Sequence, residues 1–184
     1  MNFYQKCIPD YYFKSIYEIP YHTLQEQGIN TLFFDLDNTI ISYDEDILSD
    51  KQVEFLKELR KSFKIVILSN SGYQRVSNAL KNTDFSFIYH STKPLKRGFK
   101  KALKMTDAKK NEVLVIGDQM MTDVLGAHRT GLNVALIQSV KRKSDRRITQ
   151  FNRRIETMVL KKIKKRYPKL YESRLEAYVN AHKM

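Results

Sequence analysis

Cysteine is nearly missing: Cys7 is the single one among 184 residues. One thiol excludes a disulfide within the chain and leaves no cysteine pair for a metal, and a chain without a disulfide framework is expected in the cytoplasm. Proline and glycine are also scarce, at 4 and 6, beside a hydrophobic share of 42%, which excludes a disordered or low-complexity chain. No window approaches the roughly 18 apolar residues that span a bilayer. The opening MNFYQKCIPDYYF has no charged start leading into an apolar run, so a secretory signal is not expected. Acidic residues are thin in one place only. Residues 141–184 hold 15 basic and 4 acidic side chains, and the net charge of +13 comes almost wholly from there. Such an uneven balance points to an anionic partner met through one region.

What is present is a series of short apolar runs. Thr31-Leu32-Phe33-Phe34 comes first, then Lys64–Leu68, Phe85–Tyr89, Glu112–Ile116 and Asn133–Ile137. Between them lie helical patterns: Asp50–Lys61, where Ser49 or Asp50 can cap Val53, Leu56 and Leu59; Tyr73–Lys81; one opened by Lys93-Pro94; and one carrying Asp123. Strands alternating with helices predict an α/β fold, a doubly wound parallel sheet, over 30–140. Before it, residues 1–29 form an arm rich in Phe and Tyr (Phe3, Tyr4, Tyr11, Tyr12, Phe13, Tyr17, Tyr21). It is expected to lay its rings on the domain, the alternative being a membrane interface. Residues 141–184 form a helical extension.

The first apolar run passes directly into Asp35-Leu36-Asp37. In an extended segment these carboxylates share a side, with Leu36 opposite, and such proximity needs a cation or a shared proton. Three other runs also end in polar groups: Ser69-Asn70, Lys93 and Asp118. In a parallel sheet all these ends meet along one edge. A hydroxyl, backbone amides and a lysine suit a phosphate, and two or three carboxylates with water suit Mg²⁺. A carboxylate can also attack phosphorus. The loop Asp44-Glu45-Asp46 is read as solvated.

Asp35-Leu36-Asp37-Asn38-Thr39, Ser69, Lys93 and Gly117-Asp118 through Asp123 resemble, in order, the four motifs of the haloacid dehalogenase (HAD) superfamily. The resemblance implies a nucleophile and metal ligand at Asp35, and at Asp37 an acid/base that also lends its backbone carbonyl to the metal. It implies phosphate binding by Ser69 and the Asn70 amide, charge stabilisation by Lys93, a further metal ligand at Asp118, and support from Asp123. The metal ligands would be Asp35, Asp37 and Asp118, and the metal Mg²⁺. Family cap domains sit between the first three motifs, and here those gaps hold one helix each, so no cap is expected. Pro9-Asp10-Tyr11-Tyr12, Lys14-Ser15-Ile16-Tyr17 and Lys93-Pro94 extend the likeness to YqeG-type phosphatases of subfamily IIIA. Kinship of that group with mitochondrial phosphatidylglycerophosphate phosphatases implies a lipid substrate, phosphatidylglycerophosphate, the alternative being a soluble phosphate or a phosphoprotein.

In the extension, Ile148, Phe151, Ile155, Met158, Val159 and Ile163 share a helical side. Arg146, Arg153, Arg154, Lys161, Lys164 and Lys165 cover the other, and Lys162 and Arg166 fall inside the apolar arc. A basic amphipathic helix lies on anionic bilayers, so residues 146–166 are expected at the inner membrane face; alternatively the stripe packs on its own domain. RNA is a further candidate for so basic a segment.

Overall fold

An apolar run with no polar interruption needs cover on both faces, and a parallel sheet between two helical layers provides it. The computed structural model describes residues 1–140 and 147–182, with the side chains of 147–154 outside that description. Its strands are β1 (Tyr11–Phe13), β2 (Thr31–Phe34), β3 (Lys64–Leu68), β4 (Ser86–Ile88), β5 (Val113–Gly117) and β6 (Asn133–Ile137). All neighbours pair in parallel, in the order β1-β6-β5-β2-β3-β4. The helices are α1 (Phe3–Lys6), α2 (Tyr21–Glu26), α3 (Asp50–Arg60), α4 (Tyr73–Ala79), α5 (Lys96–Thr106), α6 (Leu125–Thr130), α7 (Arg147–Arg166), α8 (Pro168–Arg174) and α9 (Glu176–His182).

Strand side chains alternate between two cores. Leu32 and Phe34 join Leu56 of α3 and Val76 of α4 on one face. Phe33 faces the other way, with Phe99 of α5, Leu125 of α6 and Ile163 of α7. Ser49 closes α3 with a capping box, its side chain accepting from the Gln52 amide while Gln52 reaches back. From central β2 the chain winds outward to β3 and β4, then crosses back to β5 and β6. The winding reverses between β2 and β5, which is where such sheets open a crevice at their carboxyl ends. The expected doubly wound α/β sheet is present. Among the described residues only α3 and β3 lie between Asp37 and Ser69, and only α4 and β4 between Ser69 and Lys93, so no cap domain is inserted there.

Two elements differ from the sequence reading. The aromatic arm does more than lay rings on the domain, since Tyr11–Phe13 adds an edge strand, pairing Tyr11 with Ala135 and Phe13 with Ile137. Asp10 guides it, its carboxylate accepting from the Val134 amide at 2.9 Å and lying 3.1 Å from His128 Nε2. The second difference is the buried side of α7. Val159, Leu160 and Ile163 enter the core with Glu156, which accepts a 2.5 Å hydrogen bond from the Tyr178 hydroxyl. Met158 is 61% exposed, and Lys162 and Arg166 are exposed too, so the helix is rotated from the expected arc. A polar Glu156 at the centre of the buried stripe hides it from hydrophobic periodicity. Arg146 and the side chains of Ile148, Phe151, Arg153 and Arg154 lie outside the described residues. No described helix is long and apolar enough to cross a membrane.

Candidate active site

β2 delivers Asp35 to the sheet edge, its amide still donating to Ile116 O at 2.8 Å. The chain then turns sharply: Leu36 is fully buried, and its carbonyl accepts from Thr39, Ile40 and Ile41. Asn38 sits in this turn at φ 63°, a left-handed conformation that asparagine tolerates better than most residues. The turn separates the two carboxylates. Asp35 faces inward to Lys93, at 2.6 Å from its Nζ. Asp37 faces the loop after β3, where Oδ2 accepts from Ser69 Oγ at 3.2 Å and Ser71 Oγ at 2.7 Å. Its Oδ1 accepts from Arg75 Nε at 2.9 Å.

Lys93 uses all three of its protons: Asp35 Oδ1 at 2.6 Å, Asp123 Oδ1 at 2.7 Å and Leu68 O at 3.0 Å. Burial works to strip its charge, yet the Asp123 and Asp35 carboxylates hold its pKa above the usual lysine range. Burial pushes the Asp35 carboxyl well above the usual carboxylate range, opposed by Lys93 and reinforced by Asp123 and Asp118. Lys93-Pro94 does not open a helix. The Lys93 amide donates to Asn70 Oδ1 at 2.8 Å, and Asn70 Nδ2 donates to Lys93 O at 3.0 Å. With its backbone held by Asn70, Lys93 stays in a loop that includes a cis Lys93–Pro94 peptide, and α5 starts at Lys96.

Asp118 and Asp123 come from the segment after β5. Asp118 is fully buried, one oxygen accepting from the Ser139 hydroxyl. Asp123 lies on a π-helical turn, Met120–Val124, and not on the α-helix the sequence pattern implies, which begins only at Leu125. The wider turn arises because the Asp123 and Val124 amides both donate to Gln119 O. Asp123 Oδ2 accepts from the Gln119 amide at 3.2 Å. Asp35, Asp118 and Asp123 each present one oxygen within 4.8 Å of the others. Three buried carboxylates against one ammonium form a hard, net-negative donor set, which fits a divalent cation such as Mg²⁺. The Asp37 side chain is not in this set; Asp123 is.

A cleft of about 610 Å³ opens over these groups, lined by Asp35, Asp37, Lys93, Asn70 and Ser71, with Tyr43, His90 and Met121 among its outer walls. Ser69 is fully buried behind it, its hydroxyl accepting from the Ser71 amide at 2.9 Å. The Asn70 side chain is committed to the lysine loop, also accepting from Ser91 Oγ at 2.8 Å. Sequence reasoning missed Ser71, Arg75 and Ser139. Ser71 had a signal, a second hydroxyl two residues beyond Ser69. Arg75 and Ser139 had none, since their partners lie 38 and 21 positions away.

This fold and site define a class. The sequence matches the haloacid dehalogenase-like hydrolases over residues 6–131, and the chain belongs to that family. Within it the chain is of the YqeG type: it is 34% identical over 160 residues to Probable phosphatase YqeG of Bacillus subtilis (strain 168), covering 86% of this chain and 92% of that protein. A HAD family enzyme of Bacteroides thetaiotaomicron, solved with magnesium and inorganic phosphate, superposes with a TM-score of 0.50 at 14% identity, over 64% of this chain and 98% of that one. The cobalt-bound deoxy-D-mannose-octulosonate 8-phosphate phosphatase of Haemophilus influenzae gives 0.48 at 11% identity, over 73% and 88%. At 14% identity the likeness to the Bacteroides enzyme is one of fold alone.

Proposed function

We propose that the chain is a Mg²⁺-dependent phosphomonoesterase working through an aspartyl-phosphate, and that it converts phosphatidylglycerophosphate to phosphatidylglycerol. One observation carries the chemistry: the two carboxylates of a single strand end are placed in different surroundings. Asp35 is buried beside Lys93, while Asp37 stands among the hydroxyls of Ser69 and Ser71 and the guanidinium of Arg75. Different surroundings suit different roles.

In the first step an Asp35 carboxylate oxygen bonds to phosphorus while the bond from phosphorus to the substrate oxygen breaks. Asp37, carrying a proton, gives it to that leaving oxygen, and the alcohol departs. Water then attacks phosphorus and passes its proton to Asp37. The phosphorus–Asp35 bond breaks, inorganic phosphate leaves, and both carboxylates are restored. Lys93 holds Asp35 in place and offsets the negative charge that gathers as phosphate approaches. Mg²⁺ held by Asp35, Asp118 and Asp123 would supply Lewis-acid charge neutralisation at the phosphate oxygens.

The lipid assignment draws on two features. With no cap between Asp37 and Lys93, the cleft is open to a headgroup still anchored in its bilayer. In addition, α7 spends Val159, Leu160 and Ile163 on the core and leaves Lys161, Lys162, Lys164 and Lys165 exposed. This supports a peripheral position at the cytoplasmic membrane face, held by charge more than by insertion.

The test is phosphate release from phosphatidylglycerophosphate in detergent micelles, with Mg²⁺ and with chelator, for wild type and Asp35→Asn. Metal-dependent release that Asp35→Asn abolishes is expected. Release unaffected by Asp35→Asn overturns the mechanism; release from soluble phosphomonoesters but not from the lipid overturns the substrate.

A further inference from the structure

The sequence concentrates basic charge in the last 44 residues, yet the fold exposes a second basic surface at the cleft. Immediately after the cleft-lining residues Thr92, Lys93 and Pro94 comes Leu95, 53% exposed, followed by Lys96, Arg97, Lys100 and Lys101 of α5, all exposed. Helix α5 carries five basic side chains and no acidic one between Lys96 and Thr106. Only Gly98, Phe99 and Ala102 of it are buried, so the charged residues have no packing duty.

An exposed aromatic group adjoins the same cleft through His90. Tyr73, at the start of α4, is 57% exposed and meets Tyr89 edge to face at 5.3 Å; Tyr89 is 44% exposed and lies 5.6 Å from the His90 ring. His90 itself lines the cleft. An isolated exposed Leu or Tyr needs no explanation. Here a leucine, two tyrosines and a run of cations adjoin one opening.

We propose that Tyr73, Tyr89, Leu95, Lys96, Arg97 and Lys100 form a docking surface for an anionic bilayer, separate from the basic face of α7, which sets the cleft mouth against the lipid. Each component fits that occupant. Tyrosines present an apolar body with a polar tip and settle at headgroup depth. Leu95 has no polar group to satisfy and inserts at little cost. Lysine and arginine near an anionic surface are attracted through the Debye layer. A nucleic acid would use the cations and tyrosines, but it has no use for an exposed leucine. Acidic residues mark the limit of the surface: Asp44, Glu45 and Asp46 are exposed on the loop gripped by Arg75, so the rim is cationic on the α5 side and anionic on the other. Only the α5 side can approach anionic lipid, and that asymmetry sets how the cleft is tilted.

The inference rests on a lipid substrate for its purpose, though its test does not. The full chain is sedimented with phosphatidylcholine vesicles containing about one-third phosphatidylserine, at about 0.1 M salt, with no phosphomonoester present. Lys96→Gln/Arg97→Gln should weaken binding by roughly 30-fold, and Leu95→Ala by several-fold, as expected for two surface cations and one inserted side chain. Turnover of soluble p-nitrophenyl phosphate, read on the same variants, should stay within about twofold of wild type, which shows that they fold. Lys161→Gln/Lys164→Gln/Lys165→Gln separates the two surfaces: an additive loss beside the α5 variants supports two contacts. Wild-type vesicle affinity in the α5 variants overturns the proposal, as does a loss confined to RNA binding in those variants. Failure of the lipid-substrate reading would show instead as vesicle binding without lipid turnover in micelles.

Discussion

Arg75 grips Asp37 by the oxygen that Ser69 and Ser71 leave free of their hydroxyls: Nε donates to Asp37 Oδ1 at 2.9 Å, while the other two nitrogens donate to the carbonyls of Glu45 and Ser42. Its guanidinium also lies over the Tyr43 ring, 5.3 Å from the centroid. One side chain, 13% exposed, thus ties Asp37, the proposed acid/base, to the loop that borders the cleft. Arg75 is a positioning residue, and its removal should act on the proton-transfer steps. Arg75→Ala is expected to lower kcat by roughly 100-fold with little change in KM, since displacing a catalytic group by about 1 Å costs that much. Arg75→Lys should recover only part of the loss, because an ammonium cannot reproduce the planar fork. Steady-state kinetics on a soluble phosphomonoester decides it; equal losses in kcat for leaving groups of very different basicity would remove Asp37 from the account.

Lys93 is the cation between Asp35 and Asp123, with its side chain 3% exposed. Lys93→Met keeps the length and removes the charge, leaving three buried carboxylates to repel one another. A loss of about 3–5 kcal/mol in stability is expected without metal, reduced where a carboxyl takes up a proton. Adding Mg²⁺ should raise the melting temperature of Lys93→Met by more than that of wild type, because the cation then replaces the missing charge as well as binding. Thermal unfolding across a Mg²⁺ series measures both. Equal shifts in the two proteins would mean the carboxylate cluster does not hold the ion.

How much of this could be read from the sequence depends on where each residue's partners lie. β2, β3, β5 and β6 are legible because both of their faces are buried, which leaves uninterrupted apolar runs. The groups at their ends follow, since a parallel sheet aligns them. β1 is not legible: it has three residues, lies at the edge, and its register depends on Asp10 binding an amide 124 positions away. Arg75 reads as an ordinary polar position on a short amphipathic helix. The π turn at Met120–Val124 has no periodic signature either, because it is produced by amides competing for the Gln119 carbonyl.

Asp10 predicts how stability responds to acid. Burial works to raise its pKa, but the hydrogen bond from His128, the Val134 amide and the nearby Arg174 outweigh it, and the carboxyl sits below the usual range. A folded-state pKa below the unfolded value near ~3.9 means that the stabilisation is fully present above that value and is lost as pH falls through the folded one. Asp10→Ala should cost about 1–3 kcal/mol near neutral pH, where a charged hydrogen-bond acceptor is lost. The gap from wild type should then narrow below about pH 4. Urea unfolding at a series of pH values tests this, and a gap that widens in acid would contradict the assignment.

Gly117, the last residue of β5, connects the backbone to the site most directly. A Cβ there would lie 2.3 Å from Asp123 Cγ, far inside contact distance, so only glycine allows Asp123 to reach back to Lys93. Gly117→Ala is expected to cost about 1–3 kcal/mol through overpacking and to lower activity by roughly 100-fold as Asp123 is pushed off the lysine. The decisive measurement is a double-mutant cycle with Asp123→Ala, which removes the atoms that clash. If the glycine matters because of Asp123, the double variant should be more stable than additivity predicts, by at least ~1 kcal/mol, while activity stays low because Lys93 has lost its partner in both. Additive stabilities would place the strain elsewhere on β5 and leave the Asp123–Lys93 pair without its backbone support.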